Sequence, residues 1–596
     1  MHRAADRMLG LAATLLILAA SRVLQLRGLE LNQDEIWTIW QTLGSPRQVL
    51  AWTPYDWPPL YYLALAAWKE VAGLHPLAAR YFSVLIFLPG AALLYRAIRR
   101  EASHRAGWFA MLAYGALSYM VVLSVAVRGY ALMMTLLVAA LWLMQRYFYR
   151  PTLRRGLALG LTLSALLYTH LTSMFAIVAL VAYSLALAPR SVWRWWLPGL
   201  VTGALLLPEA LAKADIVLSG SRLDATQALE LPPLPTALAD LFELATGELA
   251  AIWAALALVS AVAILARGGR MRGQELIWML WTIGGAVVLY VTNPLTGFFR
   301  LRYGLWLLVG LAVWIGSGVA HLPRWGQVVA AGVLAAGLLV PLSPAALHDS
   351  VGAPPMMMVF DWLRTQVRWG DVMVVDEAVD APPEAWDYYT RLYFPHGLTF
   401  VHAPADQRRV WFATVDGSED PVLSAAVREG RVPGRYVGPW NFLVRLYEGP
   451  PDRDGILFDN GMRFHGVDII RPGDEQHQPV AWREGETIAL RLWWSVDYPV
   501  QLDYSVSIRF RTPEGETLVQ VDGAPQVAGE PPETSRWQPG RFYIDERTLR
   551  LPDAIPSGSY PLFLIVYQWW DNTRIPVPGM TDEYMLPLDT IAVKAW

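Results

Sequence analysis

The sequence predicts a polytopic α-helical membrane domain of about 11 spans, followed by an external α/β domain and a C-terminal β-sandwich. Three observations predict it. Apolar runs of about 17–20 residues, the length that crosses about 30 Å of hydrocarbon, recur through residues 1–345 and then stop. The front of the chain has an excess of Lys and Arg, and the back an excess of Asp and Glu. The back also alternates short strand-like runs with turn residues. At 55% hydrophobic over 596 residues, the chain is more apolar than a soluble protein, where about 45–50% is usual. The net charge of −3 names no partner, and no nucleic-acid partner is expected. The absence of cysteine excludes disulfides, thiol catalysis and thiolate metal sites.

Spans are expected near 8–26, 76–95, 106–123, 129–146, 156–171, 173–189, 195–212, 249–266, 275–292, 303–320 and 325–343. Lys and Arg in short connectors set their orientation. With the N-terminus inside, the connectors 96–105, 147–155, 190–194, 267–274 and 321–324 are cytoplasmic, and every one is basic. An odd number of spans then places the acidic residues 346–596 outside. Residues 1–26 have the basic start of a signal peptide, but the apolar run is long and further spans follow. They read as an uncleaved first helix.

The first external loop, 27–75, is too long and too rich in Trp, Tyr and Pro to be a plain connector. It carries Asp34 and Glu35 directly after the first span, and later Asp56, Tyr61 and Tyr62. Ile36, Ile39, Trp40 and Leu43 fall at helical spacing, which predicts one short helix at the membrane surface over 36–52. Asp34 and Glu35 are then either reactive acids or simply the acids that a helix dipole favours in its first turn.

Arginines at the outer helix ends run against the topological bias: Arg80, Arg128, Arg300 and Arg302. A cation kept there needs an anionic partner. A lipid phosphate suits a guanidinium, which grips it with two parallel bonds; snorkelling to ordinary headgroups is the plainer alternative. Transfer of a sugar from a phosphate carrier needs a carboxylate to take the acceptor's proton and positive charge to hold the departing phosphate. Asp34 or Glu35 beside these arginines supplies both, and a single displacement inverts the anomeric centre. His170, near the outer end of a span, is a further candidate or a packing residue. Tyr61 and Tyr62 read as interface aromatics before ligands.

Five short motifs occur in order over about 300 residues: Asp34–Glu35, the "PPLYY" of Pro58–Tyr62, the "RGYAL" of Arg128–Leu132, the "LYTH" of Leu167–His170, and Arg302–Tyr303. Together they resemble the GT-C class of integral-membrane glycosyltransferases, in particular the family of dolichyl-phosphate-mannose protein mannosyltransferases and bacterial aminoarabinose (lipid A) transferases. The resemblance implies a GT-C-like membrane domain, Asp34 as catalytic base, Glu35 beside it, and donor phosphate held by Arg128 and Arg302 with Arg300 close by. Tyr61, Tyr62, Tyr130, His170, Tyr303 and Asp56 would line the substrate pocket. It also implies a polyprenyl-phosphate sugar donor, a protein, lipid or glycan acceptor, and a bacterial plasma membrane with the soluble parts outside. One departure stands out. Relatives carry an acid two positions before the motif arginine, and here that position is Ala126. This puts a divalent metal in doubt, and no other cofactor is expected.

The membrane domain is expected over 1–345, the α/β domain over 352–450 and the sandwich over 451–596. In the α/β part, "MMMVFDWLRTQV" and "AWDYYTRLYF" have helical spacing, and "GDVMVVDEA", "RRVWFATVD" and "NFLVRLYEG" read as strands. In the last part, Leu502, Tyr504, Val506, Ile508 and Phe510 alternate with polar residues in the manner of a half-buried strand. Trp493, Trp494, Trp537, Trp569 and Trp570 are candidates either for sugar stacking or for the core. The loop 213–248 is a candidate flap or a linker. Two other readings compete with glycosyl transfer: a transporter or lipid-linked-glycan flippase, and a non-catalytic carbohydrate-binding membrane protein. A transporter would place charges in mid-span and show two similar halves, and neither is found.

Overall fold

The computed structural model of the protein describes residues 2–26, 30–52, 58–212, 214, 231–266, 270–297, 299–339, 354–404, 406–471, 481–528, 531–580 and 584–594. The chain divides into two compact units, Met1–Val351 and Gly352–Trp596.

The first unit is helical and belongs to a multi-pass membrane protein. Among the described residues, five helical stretches are long and apolar enough to cross a bilayer: Met8–Gln25, Pro76–Glu101, Tyr130–Tyr149, Leu234–Leu265 and Gly273–Pro294. Ser173–Leu187 and Trp306–Val319 are shorter apolar helices. Helices also occupy the other expected spans.

In chain order the elements that frame the site are α1 (His2–Gln25), α2 (Gln33–Gln41), α3 (Pro46–Trp52), α4 (Leu60–Ala72), α5 (Pro76–Glu101), α6 (His104–Ala116), α7 (Ser118–Leu123), α8 (Tyr130–Tyr149), α9 (Leu153–Leu167) and α10 (Ser173–Leu187). α5 starts cleanly because His75 caps it and Pro76 stands at its first position, where no N–H is needed. The expected span 106–123 is broken at Leu117, whose backbone is extended. The break lets Ser118 donate to the Thr246 carbonyl at 2.7 Å.

The single helix expected over 36–52 is two, α2 and α3. Ser45 and Gln48 cap α3 reciprocally and Pro46 begins it, so the first helix cannot run through. Nor does α2 lie on the surface by its whole apolar face: Glu35, Ile36, Thr38 and Ile39 are buried.

The second unit begins with a five-stranded mixed sheet. Its strands are β1 (Val372–Val375), β2 (Thr399–Phe400), β3 (Arg409–Thr414), β4 (Val432–Val437) and β5 (Leu443–Glu448), in the order β2-β1-β3-β5-β4. β1 pairs parallel with β2 and β3, and β5 pairs antiparallel with β3 and β4. Helices Met356–Leu363, Pro383–Tyr393 and Pro421–Arg428 accompany it.

Two further sheets follow. One holds β6 (Ile456–Leu457), β7 (Met462–Ile470), β9 (Thr487–Val496) and β12 (Tyr543–Arg550); the other holds β8 (Trp482–Arg483), β10 (Tyr504–Arg511), β11 (Thr517–Gly523), β13 (Gly558–Gln568) and β14 (Leu586–Lys594). Leu490, Leu492 and Trp494 of the first share one buried core with Val506, Ile508 and Leu564 of the second. Alternation along β9 and β10 drives this, since every second side chain points the same way.

Glu448 ends β5 and is buried. Burial alone would raise its carboxyl, but the Arg409 and Arg491 charges outweigh burial and hold it down to about 2, against an ordinary 4.5. A depressed folded value means that its contribution to stability is present above about pH 4.5 and is lost as pH falls towards 2. Cleavage of the second unit by an acid-active protease, in the full chain, should therefore rise steeply across that window. In Glu448→Gln the rise should be shallower. Identical profiles for the two proteins would show that Glu448 does not carry the acid sensitivity.

Candidate active site

The site is assembled from the start of α2, the start of α4, the turn between α7 and α8, and the turn between α9 and α10. Asn32 caps α2 by accepting the Glu35 N–H at 2.9 Å, and Glu35 Oε2 accepts the Asn32 N–H at 3.1 Å. This reciprocal cap leaves Asp34 in the first helical turn.

Asp34 and Glu35 then point to different surroundings. The Asp34 side chain is 51% exposed and lies 3.5 Å from the Arg128 guanidinium. Arg128 Nη1 also reaches Thr38 Oγ1 at 3.3 Å and the Asp34 carbonyl at 3.4 Å.

Glu35 is fully buried and takes four donors. Arg80 donates through Nη2 at 2.7 Å and Nε at 3.3 Å, and the Val127 N–H donates at 2.9 Å, besides Asn32. Val127 directly precedes Arg128. One carboxylate thus ties the helix that carries Asp34 to the turn that carries Arg128. The sequence put Glu35 among the reactive groups and left Arg80 waiting for a lipid phosphate. In the structure Arg80 has its carboxylate inside the protein, and both side chains are closed off from solvent.

Tyr61 and Tyr62 are buried rather than set at an interface. The Tyr61 hydroxyl pairs with Ser83 Oγ at 3.3 Å, and Ser83 donates to the Ala126 carbonyl at 2.6 Å. Burial pushes the Tyr62 phenol up, and the Arg128 charge and a bond with Thr38 offset part of the rise. Tyr62 therefore faces the same space as Asp34 and Arg128.

The "LYTH" turn docks on this group. The Leu60 N–H donates to the Tyr168 carbonyl at 3.0 Å. Gly129 packs tightly on this turn: a Cβ there would lie 3.3 Å from both the Thr169 methyl and the Thr169 carbonyl. His170 bonds Thr172 at 2.7 Å, has its ring 5.6 Å from that of Tyr130, and feels the charges of both Arg128 and Arg302.

Arg302 lies in the short turn Leu301–Tyr303, its guanidinium 5.1 Å from the Tyr303 ring centre. Arg300 starts that turn, accepting the Tyr303 and Gly304 N–H groups with its carbonyl. The Arg302 and Arg128 charges both act on His170. Asp56 lies outside the described residues, as do residues 213 and 215–230 of the loop 213–248, of which 234–246 is helical. Ala126 brings no acid to the site and gives its carbonyl to Ser83. Among the described residues no three His, Asp or Glu side chains gather as a metal site.

Of the tryptophans considered for sugar stacking, Trp493, Trp494 and Trp537 are core residues. Trp569 and Trp570 are exposed.

Residues 56–210 match the model of a family of membrane glycosyltransferases, described as dolichyl-phosphate-mannose-protein mannosyltransferase. This is the family that the five motifs resemble, and the matched stretch contains three of them. Among solved structures the chain is similar to ArnT from Cupriavidus metallidurans in the apo state, at 16% identity over 75% of this chain and 98% of that one, with a TM-score of 0.49. It is also similar to the archaeal oligosaccharyltransferase AglB from Archaeoglobus fulgidus in complex with an inhibitory peptide and a dolichol-phosphate, at 10% identity over 99% of each chain, with a TM-score of 0.42. No curated protein matches the chain.

Proposed function

We propose that the chain is an inverting glycosyltransferase. It moves a sugar from a polyprenyl-phosphate donor to a hydroxyl acceptor at the outer face of the membrane, with Asp34 as general base. The observation that carries the reading is the half-exposed Asp34 carboxylate set 3.5 Å from the Arg128 guanidinium, in a group that also meets the Arg302 charge through His170. The family match, whose description names a dolichyl-phosphate sugar, supports a lipid-phosphate donor. The excess of basic residues in the short connectors supports placing 346–596 outside, and the shared core of the two C-terminal sheets supports reading them as a sandwich.

The steps follow from the charges. Without donor, Arg128 is paired with Asp34. A donor phosphate competes for Arg128, with Arg302 as second cation, and Asp34 is released. The acceptor oxygen then attacks the anomeric carbon on the face opposite the phosphate. Its proton passes to Asp34 as the bond from the anomeric carbon to the phosphate oxygen breaks, and the lipid phosphate leaves with the bonding electrons. Arg128 and Arg302 offset the charge that develops on it.

Purified chain in a bilayer, given a polyprenyl-phosphate-linked sugar and a hydroxyl acceptor, is the direct test. Arg302→Ala should raise KM for the donor about tenfold or more and leave KM for the acceptor nearly unchanged. An unchanged donor dependence would remove the phosphate clamp, and absence of any transfer by the native chain would remove the reading itself.

A further inference from the structure

The second unit contains a cleft of about 980 Å³ that the transfer chemistry leaves unused. This is near the upper end for small-ligand pockets, about 300–1,000 Å³. Its walls come from the loop before β1, from β4 and β5, and from β9 and the start of β12. Seven arginines line it, against two carboxylates, Glu448 and Glu546. Elsewhere the unit runs the other way, since Asp and Glu outnumber Lys and Arg in its sequence.

Internal acids answer part of this charge, Glu419 taking Arg428 Nη2 at 2.7 Å. Glu448 accepts from Arg409 and, at 2.8 Å, from Arg491, with Arg368 and Arg408 at 3.8 and 3.9 Å. Behind the wall, Asp371 takes Arg409 Nε at 2.8 Å and Asp468 takes Arg408 Nη2 at 2.6 Å. Glu546 lies 3.6 Å from Arg491 Nε, so these four guanidiniums meet four carboxylates, while the lining itself counts seven arginines to two acids. Arg431 adds another buried cation, held by the carbonyls of Gln407, Ala426 and Val427. Arg368 Nε is buried without a hydrogen-bond partner. Burial, and then the Arg409 charge, push the Arg368 guanidinium below the ordinary arginine value. Cations packed in this way are costly unless an anion joins them.

The same cleft carries aromatic faces. Tyr436 is 60% exposed on its wall, and Trp362 and Phe542 line it further in. Rings of this kind cover the apolar face of a sugar while keeping a polar edge wet. Guanidinium forks match a carboxylate or phosphate with two parallel bonds.

We propose that this cleft binds an anionic saccharide, gripped by Arg368 and its neighbouring guanidiniums and stacked on Tyr436. A neutral sugar leaves the surplus charge unanswered, and a simple inorganic anion leaves most of the volume empty.

Calorimetric titration of the full chain in detergent, with trigalacturonate, a phosphorylated manno-oligosaccharide and neutral maltotriose, tests this. At least one of the two anionic ligands should bind, with maltotriose at least about tenfold weaker and with affinity falling as salt is raised. Which anionic ligand binds distinguishes a carboxylate-bearing from a phosphate-bearing glycan. Arg368→Gln should weaken binding about tenfold with melting unchanged, because Arg409 and Arg491 still hold Glu448. Tyr436→Ala, at an exposed position, should also weaken it. The proposal is overturned if neither anionic ligand binds, if maltotriose binds equally well, or if both variants keep native affinity. The measurement needs no turnover, so its outcome is separate from the fate of the transfer reading.

Discussion

Asp34→Asn is expected to lower turnover by about two to four orders of magnitude, the usual worth of a general base, while the protein stays folded. The two halves of that result come from the same geometry. The Asp34 side chain is half exposed, and its pairing with Arg128 at 3.5 Å is loose, a contact worth at most about 1 kcal/mol to stability. The backbone bond that the residue makes to Thr38 survives the substitution, since it uses the Asp34 carbonyl. Asparagine keeps the shape and loses only the capacity to take a proton. Transfer from a polyprenyl-phosphate sugar, measured beside thermal melting, separates the two effects. Near-native turnover with near-native melting would remove Asp34 from the chemistry. Asp34→Glu, which keeps the carboxylate but displaces it, should fall between.

The second large effect is expected at Glu35, and it reverses the pattern: stability falls along with activity. Glu35→Ala leaves the buried Arg80 guanidinium without its carboxylate, a loss of about 3–5 kcal/mol for a broken buried pair. It also strips the Val127 N–H of its acceptor. The turn before Arg128 and the start of α2 are then no longer held by one group, so KM for the donor should rise in whatever fraction remains folded. A merely structural role would lower yield and melting temperature without moving that constant. Replacing both partners, Glu35→Met with Arg80→Met, should recover part of the stability and none of the donor affinity. Native melting in Glu35→Ala would show that the pair bears no load.

The sequence picked out parts that the fold brings close together. Asp34, Arg128 and His170 come together from three segments, and charge and motif order had picked out each of them. What the residues alone hid is which arginine is answered from inside the protein. Topological bias shows that Arg80 sits against the rule, but not that Glu35 lies 2.7 Å away. A signal was present: Asn32 three residues before Glu35 is a capping pattern, and a residue engaged in a cap is turned back towards its own helix. Gly44, Ser45 and Pro46 likewise announced the end of α2 that a reading by apolar spacing ran through. The break at Leu117 had no such mark: the contact that goes with it, from Ser118 to the Thr246 carbonyl, joins residues over a hundred positions apart.

The paired tryptophans of β9 were ambiguous for a related reason. Neighbouring residues of a strand face opposite sides, yet both are buried. Trp494 enters the core between the two C-terminal sheets. Trp493 donates to Asp468 at 2.8 Å, with the Arg408 guanidinium 5.8 Å from its ring.

That last contact belongs to a seam. Arg408 and Glu448 come from the mixed sheet's side, and Asp468, Arg491 and Trp493 from the sheet that holds β9. Pulling the two architectures apart would strand charges on both faces at once, so neither should outlast the other on heating. A calorimeter would record a single endotherm for them, and a truncation cut anywhere between β5 and β7 would be expected to yield two insoluble fragments instead of two working modules.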